Sequence, residues 1–317
     1  MKEQLRAVCA LVMCLCIAPA ALAQQDQEEE DESWSNFVVN EDEVDVRWDV
    51  TFLEVDGMEI KCDIYLPKEP IAKPTPCIVM IHGGGWVGGI KELLKPQSAY
   101  FAERGLAAVS INYRLLGDAP FPACIEDCKA GVRWVRANAK KYGFDPDRLG
   151  VLGGSAGGHL SAMVAASFKE KRLTVGDHRD VSSRVQAAVI MAPVVSCYTS
   201  MQHQRVTDIE MADLISPIRY VDKDTPPTLL FHSEDDPVVP YRQARLWNYL
   251  CKEKGVDIEF ITYEGDAHAF WELLFEYVDV VRRSYEFFCK NLGVKPRPEK
   301  TTAAQLQEEW RKRTSEN

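Results

Sequence analysis

The pentapeptide Gly153-Gly154-Ser155-Ala156-Gly157 follows the apolar run of residues 149–152 and precedes a stretch that is compatible with a helix. A serine between small residues, at the junction of a strand and a helix, is the pattern of a nucleophile elbow. In such a tight turn, a side chain at a flanking position would collide with neighbouring backbone. The pattern therefore predicts that Ser155 is a strained and exposed nucleophile.

A second motif lies upstream of the elbow. His82-Gly83-Gly84-Gly85-Trp86 follows the apolar run of residues 77–81, and a loop of this HGGG type supplies backbone N–H groups to a developing oxyanion. A lone G-x-S-x-G is a weak signal, because glycine and serine are common in turns. The two motifs together arise far less often by chance, and they favour a catalytic serine.

The general base can be found by elimination among the six histidines. The chain order in this architecture is serine, acid, histidine, and the apolar run of residues 228–231 leads into acids at 234–236. Only His268 lies beyond those acids, in a small-residue loop after a strand-like run. We interpret three of the other histidines as structural: His82 orients the glycine loop, His159 faces the neighbouring helical turn, and His232 braces the acid loop. The remaining two, His178 and His203, are interpreted as solvated.

Asp236 is the preferred acid of the three. Pro237 restrains the turn after it, and residues 238–240 then lead into a helix. Asp235 stays open as an alternative, while Glu234 and Asp266 are interpreted as surface carboxylates.

Strand-like runs alternate with helical segments along most of the chain. The first two runs, residues 50–55 and 58–66, flank Asp56-Gly57, which is a strong hairpin signal. The later runs are residues 77–81, 107–112, 149–152, 187–191, 228–231 and 258–263. This alternation predicts an α/β fold, with a mostly parallel central sheet flanked by helices on both faces and an antiparallel N-terminal hairpin. We expect residues 196–224 to form a small cap in preference to a surface excursion, and residues 168–184 to form either a second insertion at the ligand-binding edge or a surface excursion.

From about residue 44 to residue 291, the chain resembles the α/β-hydrolase superfamily. Within this superfamily, the chain is most similar to the branch of the hormone-sensitive-lipase-like and the acetylxylan- or feruloyl-esterase-like carboxylesterases. Besides the two glycine motifs, the matching segments are residues 111–114, 144–148, 216–218, 226–227 and 236–240, with His268. One departure is Ser233, where relatives usually carry glycine, and it concerns the shape of the acid loop.

The resemblance implies a serine hydrolase that requires neither a metal nor a cofactor. Ser155 resembles the nucleophile, His268 the base and Asp236 its orienting carboxylate. The chemistry agrees, because a hydroxyl is a poor nucleophile until a base removes its proton. The implied substrates are short-chain acyl esters, above all acetyl or feruloyl groups on plant polysaccharide such as xylan.

The resemblance also implies an oxyanion hole. Its donors would be the N–H groups of Gly84, Gly85 and Ala156, and each such donor lowers a barrier by about 3 kcal/mol. Trp86, next to this loop, is a candidate for substrate binding by stacking on a sugar or acyl group. Packing of Trp86 under the cap is the equal alternative.

The ends of the chain are expected to lie outside the catalytic domain. Residues 1–23 combine a basic start, a short apolar stretch and the pattern Ala21-Leu22-Ala23, which is typical of a cleaved signal peptide and too short for a permanent membrane anchor. Residues 24–43 are predicted to be an acidic linker, residues 44–293 the α/β-hydrolase domain and residues 294–317 a charged, solvated tail. The protein is therefore expected to be secreted or periplasmic.

Composition restricts the partners. The formal net charge of −11 disfavours nucleic acid, because an acidic chain repels polyanions. Three of the ten cysteines lie in the predicted signal peptide, and the other seven are predicted to be mostly buried small apolar residues. The absence of C-x-x-C and H-E-x-x-H spacings disfavours zinc.

Two other hypotheses stay open. An exopeptidase of the prolyl-oligopeptidase type shares this catalytic fold but usually carries an N-terminal propeller, for which the region before residue 44 is too short. A non-catalytic binding protein on the hydrolase scaffold typically lacks a member of the triad, whereas none is missing here. The sequence does not indicate the oligomeric state.

Overall fold

The computed structural model describes residues 37–198, 206, 208–271, 274–298, 305–306, 308 and 312–313. The predicted signal peptide and the predicted linker before residue 37 lie outside the described residues. Within the described ranges, none of the helices combines the length and the apolar composition needed to cross a bilayer.

The strands are β1 (Val44–Val55), β2 (Met58–Pro67), β3 (Thr75–Ile81), β4 (Ala107–Ile111), β5 (Phe144–Gly154), β6 (Ala187–Met191), β7 (Thr228–Ser233) and β8 (Ile258–Tyr263). They form one eight-stranded sheet in the order β1-β2-β4-β3-β5-β6-β7-β8. β2 pairs antiparallel with β1 and β4, and the other neighbouring strands pair in parallel. The predicted α/β fold with a mostly parallel sheet and an antiparallel N-terminal hairpin is confirmed.

The helices are α1 (Lys95–Glu103), α2 (Ala123–Ala137), α3 (Ala139–Tyr142), α4 (Ala156–Ala166), α5 (Ile209–Leu214), α6 (Arg242–Glu253) and α7 (Leu274–Asn291). Buried side chains of α2 and α4 pack on one face of the sheet, while those of α1 and α7 pack on the other. Because both faces are covered, β3 is buried along its whole length. The sheet therefore holds the loops at its C-terminal edge in fixed positions.

Two strands begin well before their predicted first residues. β1 begins at Val44 rather than residue 50, and register shifts after Arg47 and Thr51 interrupt its pairing with β2. β5 begins at Phe144, which pairs with Thr75 of β3 before the apolar run starts. Apolar periodicity misses such irregular extensions, because bulges break the alternation of side chains.

A buried ion pair joins the end of β4 to α2. The Arg114 guanidinium donates to both carboxylate oxygens of Asp127, from Nη2 to Oδ1 at 2.8 Å and from Nε to Oδ2 at 2.9 Å. The Arg114 backbone N–H also donates to Oδ2 at 2.9 Å. Both side chains are buried, so this paired and hydrogen-bonded geometry offsets the cost of removing two charges from water.

Residues 168–184 form a surface excursion held by cations of α2. Buried Lys129 donates to the Ser167 and Glu170 carbonyls at 2.7 and 3.1 Å, and Arg133 and Arg136 reach carbonyls further along the segment. Burial lowers the pKa of Lys129 to about 8. Of the two alternatives for these residues, the contacts favour the surface excursion.

The C-terminal tail is not wholly solvated, in contrast to the prediction. Arg313 pairs with Glu103 at 2.7 Å, and its carbonyl accepts the N–H of Val38 at 3.2 Å. The tail thus packs beside the N-terminal end of the described chain. A charged composition predicts solvent exposure, and it gives no signal for such pairing.

The seven cysteines within the described residues are buried and free of disulfides, as the prediction of small apolar core residues expects. Burial raises the pKa of each thiol, for example to about 12 for Cys251. They are therefore weakly reactive in the folded chain.

Candidate active site

Ser155 forms the turn between β5 and α4. Its backbone has φ 54° and ψ −120°, a conformation that costs a non-glycine residue about 1–3 kcal/mol. Glycines permit the turn: a Cβ at Gly153 would lie 2.5 Å from the Gly157 carbonyl oxygen, and one at Gly157 would lie 2.1 Å from the Ile81 carbonyl oxygen. The predicted strain at the serine and the predicted collisions at the flanking glycines are both present.

His268 lies between Ser155 and Asp236. Its Nε2 is 2.9 Å from Ser155 Oγ, and its Nδ1 is 2.7 Å from Asp236 Oδ2. The Asp236 side chain is fully buried, while that of His268 is 16% exposed. The carboxylate can therefore fix the ring with a proton on Nδ1, and Nε2 is free to accept the serine proton.

The acid loop distinguishes Asp236 from Asp235. Asp236 Oδ1 accepts the N–H groups of Val238 and Val239, each at 2.8 Å, so the side chain points inward. Asp235 is exposed, and its backbone N–H donates to the Gly265 carbonyl. The geometry thus favours Asp236 as the orienting acid.

Hydrogen bonds keep Asp236 ionised. Burial raises the pKa of this carboxyl group, but hydrogen bonds from His232, His268 and the Val239 N–H outweigh burial and hold the pKa well below its usual range. His232 Nε2 also lies 2.8 Å from the Val239 carbonyl oxygen, so this histidine braces the acid loop as predicted. Ser233, the departure from the family pattern, is buried as the last residue of β7.

The glycine loop, residues 83–86, lies beside Ser155. A Cβ at Gly83 would be 3.6 Å from Ser155 Cβ, and Gly84 and Gly85 have φ values of 105° and 59°. Gly84 cannot carry a side chain, because its Cβ would lie 2.3 Å from the Gly88 carbonyl oxygen.

The candidate oxyanion donors are available for a ligand. The N–H groups of Gly84, Gly85 and Ala156 donate to no acceptor in the part of the chain that the structure describes. Ala156 opens α4, where the first backbone N–H groups have no partner within the helix and the helix dipole favours negative charge. Their role as an oxyanion hole stays a prediction.

His82 supports the start of this loop. Its ring stacks on Tyr113 with centroids 4.3 Å apart, and the Tyr113 hydroxyl donates to the His82 carbonyl at 3.0 Å. His82 Nδ1 lies 2.7 Å from the Gly83 carbonyl oxygen. Burial lowers the pKa of His82 to about 4, so the ring is neutral at neutral pH. These contacts agree with the interpretation of His82 as a residue that orients the loop.

Trp86 and His159 form a contact that sequence analysis missed. Trp86 Nε1 donates to His159 Nδ1 at 3.1 Å, and the indole is only 7% exposed. His159 reaches this loop and the cap rather than facing the neighbouring helical turn. The burial of Trp86 and its contacts with His159 and Phe121 favour packing in the interior, the alternative interpretation, over stacking on a substrate. The only sequence signals were a tryptophan directly after the glycines and a histidine four residues after Ser155.

The expected small cap lies partly outside the described residues, which omit 199–205 and 207. Its described part holds α5, which begins after Asp208, whose side chain accepts the Met211 N–H. The Ile215 carbonyl, just after this helix, lies 2.8 Å from His159 Nε2. The cap therefore contacts the same histidine as the glycine loop does.

The strand order, and the position of Ser155 between β5 and α4, define an α/β-hydrolase. The chain belongs to the BD-FAE family, whose model matches residues 62–250, more than half of the sequence.

Two curated relatives that match about two thirds of the chain are named as esterases. The chain is 30% identical over 233 residues to esterase LipQ of Mycobacterium tuberculosis, covering 68% of this chain and 55% of LipQ. It is 30% identical over 247 residues to the versiconal hemiacetal acetate esterase of Dothistroma septosporum, covering 70% of this chain and 74% of that protein. The chain spans about half the length of LipQ, LipM and LipC, at 55%, 45% and 56%.

Solved structures with this fold cover most of the chain. A carbohydrate esterase from gut microbiota in truncated form superposes with a TM-score of 0.70 at 27% identity, covering 80% of this chain and 99% of that one. Esterase 2 of Thermogutta terrifontis with bound butyrate superposes with a TM-score of 0.69 at 28% identity, covering 80% and 96%.

Proposed function

We propose that this protein is a secreted serine carboxylesterase that hydrolyses short-chain acyl esters through an acyl-enzyme. The observation that carries the proposal is the position of His268, 2.9 Å from Ser155 Oγ and 2.7 Å from Asp236 Oδ2. The N–H groups beside Ser155 supply the second requirement of acyl transfer, a site for developing negative charge.

Acylation follows from these contacts. Ser155 Oγ bonds to the ester carbonyl carbon as His268 Nε2 takes the hydroxyl proton, and the carbonyl electron pair moves onto oxygen. The N–H groups of Gly84, Gly85 and Ala156 stabilise this oxyanion, each by about 3 kcal/mol. The bond from carbon to the alcohol oxygen then breaks, and His268 returns its proton to the leaving alcohol.

Deacylation uses the same groups in reverse. His268 Nε2 takes a proton from water as the water oxygen bonds to the acyl carbon. The bond from that carbon to Ser155 Oγ breaks, Ser155 recovers its proton, and the carboxylic acid leaves. Asp236 stays ionised throughout, because its pKa lies well below its usual range, and it stabilises the imidazolium.

The proposed substrates are acetyl or feruloyl esters of plant polysaccharide such as xylan. The names of similar proteins support this class: one is a carbohydrate esterase, another acts on an acetate ester, and a third was solved with bound butyrate. The net charge of −11 favours neutral esters over polyanions.

The catalytic proposal is tested with p-nitrophenyl acetate and a fluorophosphonate label. We expect hydrolysis and labelling in the wild type and neither in Ser155→Ala. Ser161→Ala is the matched control, because Ser161 is a second serine on α4 and its side chain is buried. Full activity of Ser155→Ala would overturn the proposal, and absence of labelling in the wild type would favour a binding protein.

A substrate panel tests the class of ester. We expect release of acetate from acetylated xylan and a fall in kcat/KM as the acyl chain lengthens from acetate to octanoate. Preference for octanoate would indicate a lipase, and faster cleavage of a dipeptidyl anilide than of any ester would indicate a peptidase.

Export is supported by the signal-peptide pattern of residues 1–23. We expect the mature protein, purified from the medium or the periplasm of an expressing bacterium, to begin at Gln24. Recovery of the chain from the cytoplasm with residues 1–23 intact would contradict it.

A further inference from the structure

We propose that His159 is a positioning residue that holds the glycine loop, residues 83–86, in register with Ser155 through its hydrogen bond to Trp86. The inference rests on the proposed function, because it concerns how the oxyanion donors of that esterase are aimed.

His159 is fixed relative to the nucleophile. It lies one helical turn after Ser155 on α4, and its backbone N–H donates to the Ser155 carbonyl at 3.0 Å. Its ring is fully buried, and Nδ1 accepts the indole N–H of Trp86 at 3.1 Å. One side chain therefore connects the nucleophile helix to the loop that carries Gly84 and Gly85.

The partners of His159 select one form of the ring. An indole N–H can only donate, so Nδ1 must carry a lone pair. Nε2 lies 2.8 Å from the Ile215 carbonyl oxygen, which can only accept, so Nε2 must carry the proton. His159 is thus neutral with its proton on Nε2, and burial, which lowers its pKa to about 4, agrees with that form.

The glycine loop needs such a restraint. Gly84, Gly85 and Trp86 are consecutive residues with positive φ, at 105°, 59° and 62°. Glycine adopts this region freely, whereas a bulky residue does so only when its surroundings hold it there. The Trp86 ring meets Phe121 and His159 edge-on, with centroids 5.8 and 5.4 Å apart. The hydrogen bond to His159 adds the directional part of this restraint, and the orientation of the preceding amides follows from it.

His159 also connects the loop to the cap. The Ile215 carbonyl accepts from His159 and from Cys197 Sγ, the latter at 3.6 Å. Ile215 directly follows α5, so a displacement of this part of the cap would act on the ring that aligns Trp86.

Two variants of similar polarity separate the two bonds of His159. In His159→Asn the amide oxygen takes the position of Nδ1 and can accept from Trp86, whereas in His159→Gln the amide nitrogen takes the position of Nε2 and can donate to Ile215. Trp86→Phe removes the indole donor while keeping an aromatic ring. The readouts are kcat and KM for p-nitrophenyl acetate, and the thermal midpoint of each variant.

We expect His159→Gln and Trp86→Phe to lower kcat by about 10- to 100-fold with KM changed less than about twofold, because only transition-state stabilisation is lost. His159→Asn should retain kcat within about threefold, and the double variant His159→Gln, Trp86→Phe should be no slower than either single variant.

If His159→Asn and His159→Gln lost the same factor in kcat, and these losses followed the decrease in thermal midpoint of each variant, the role of His159 would be merely structural. That result would overturn the inference. Wild-type kcat in His159→Gln would overturn it as well. Both outcomes leave Ser155-dependent hydrolysis by the wild type intact, whereas a wild type without that hydrolysis overturns the proposed function and this role with it.

Discussion

The indole of Trp271 occupies the space in which a side chain at Gly154 would lie. A Cβ at position 154 would come within 2.6 Å of the indole ring, and the same indole meets the His268 ring edge-on with centroids 5.7 Å apart. The residue before Ser155 is therefore coupled to His268 through one aromatic side chain. A side chain at Gly153 or Gly157 would collide with backbone atoms, whereas a side chain at Gly154 would collide with the indole that contacts His268.

Gly154→Ala should displace Trp271 and with it His268. We expect kcat for p-nitrophenyl acetate to fall by about 10- to 100-fold, as small displacements of catalytic groups do. Overpacking should lower the free energy of unfolding by about 1–3 kcal/mol. Gly117→Ala is the matched control, because nothing lies within 4 Å of its added Cβ. Unchanged kcat in Gly154→Ala would refute the coupling.

Asp236→Asn should remove the charge that fixes the His268 ring while leaving the shape of the acid loop. We expect kcat to fall by about 10³- to 10⁴-fold, because the neutral amide no longer stabilises the imidazolium or selects its tautomer. Asp235→Asn, the exposed neighbour, should keep wild-type kcat. Steady-state kinetics of the two variants check the assignment, which a greater loss in Asp235→Asn would reverse.

The residues that the structure brings together as candidate nucleophile, base and acid could be predicted from local sequence. Ser155 is marked by its glycines, and His268 by being the only histidine after the acids. The glycines that mark Ser155 are a local signal. The order of serine, acid and histidine along the chain then assigns the acid and the base. Local sequence separates Asp236 from Asp235 only weakly, because the two differ in burial and in backbone hydrogen bonds within a single turn.

The contacts of Trp86, His159 and Trp271 could not be predicted in this way. Trp86 and His159 are 73 residues apart, and nothing in the local sequence of either one indicates a partner of that kind. The Trp271 indole fills the space beside Gly154. Glycine is expected in a tight turn in any case, so Gly154 gives no sign of this contact in the sequence. These roles depend on packing between segments that are far apart in the sequence, and the periodicity of apolar residues does not reveal such packing.

Asp127→Ala should leave the buried Arg114 guanidinium without the carboxylate that accepts its bidentate hydrogen bonds. We expect the free energy of unfolding to fall by about 3–5 kcal/mol, the usual cost of breaking a buried pair on one side. Glu126→Ala is the matched control on the same helix, since Glu126 lies 3.7 Å from Arg114 and is partly exposed; it should cost about 1 kcal/mol or less. Urea unfolding of both variants measures the difference, and equal losses would contradict a special role for the buried pair.

Stability should fall as the pH drops from about 6.5 towards 4, where unfolded histidines bind protons that the folded protein excludes. Burial lowers the pKa of His82 and of His159 to about 4 in the folded chain. Between the unfolded and the folded pKa the unfolded chain carries more protons, so the free energy of unfolding rises with pH by about 1.4 kcal/mol per pH unit for each such histidine. This contribution is fully present above the unfolded pKa and is lost below the folded one.

His159→Asn removes one of these two titrating groups, so it should reduce that slope by about 1.4 kcal/mol per pH unit between pH 4.5 and 6. Urea unfolding of the wild type and of His159→Asn at several pH values measures the two slopes. Comparing slopes rather than absolute stabilities matters, because loss of the bond to Ile215 shifts the whole curve by a constant amount, whereas only a proton taken up on unfolding changes its dependence on pH. A wild-type slope in His159→Asn would mean that His159 is protonated in the folded chain, and a cation at Nδ1 could not accept the indole N–H of Trp86.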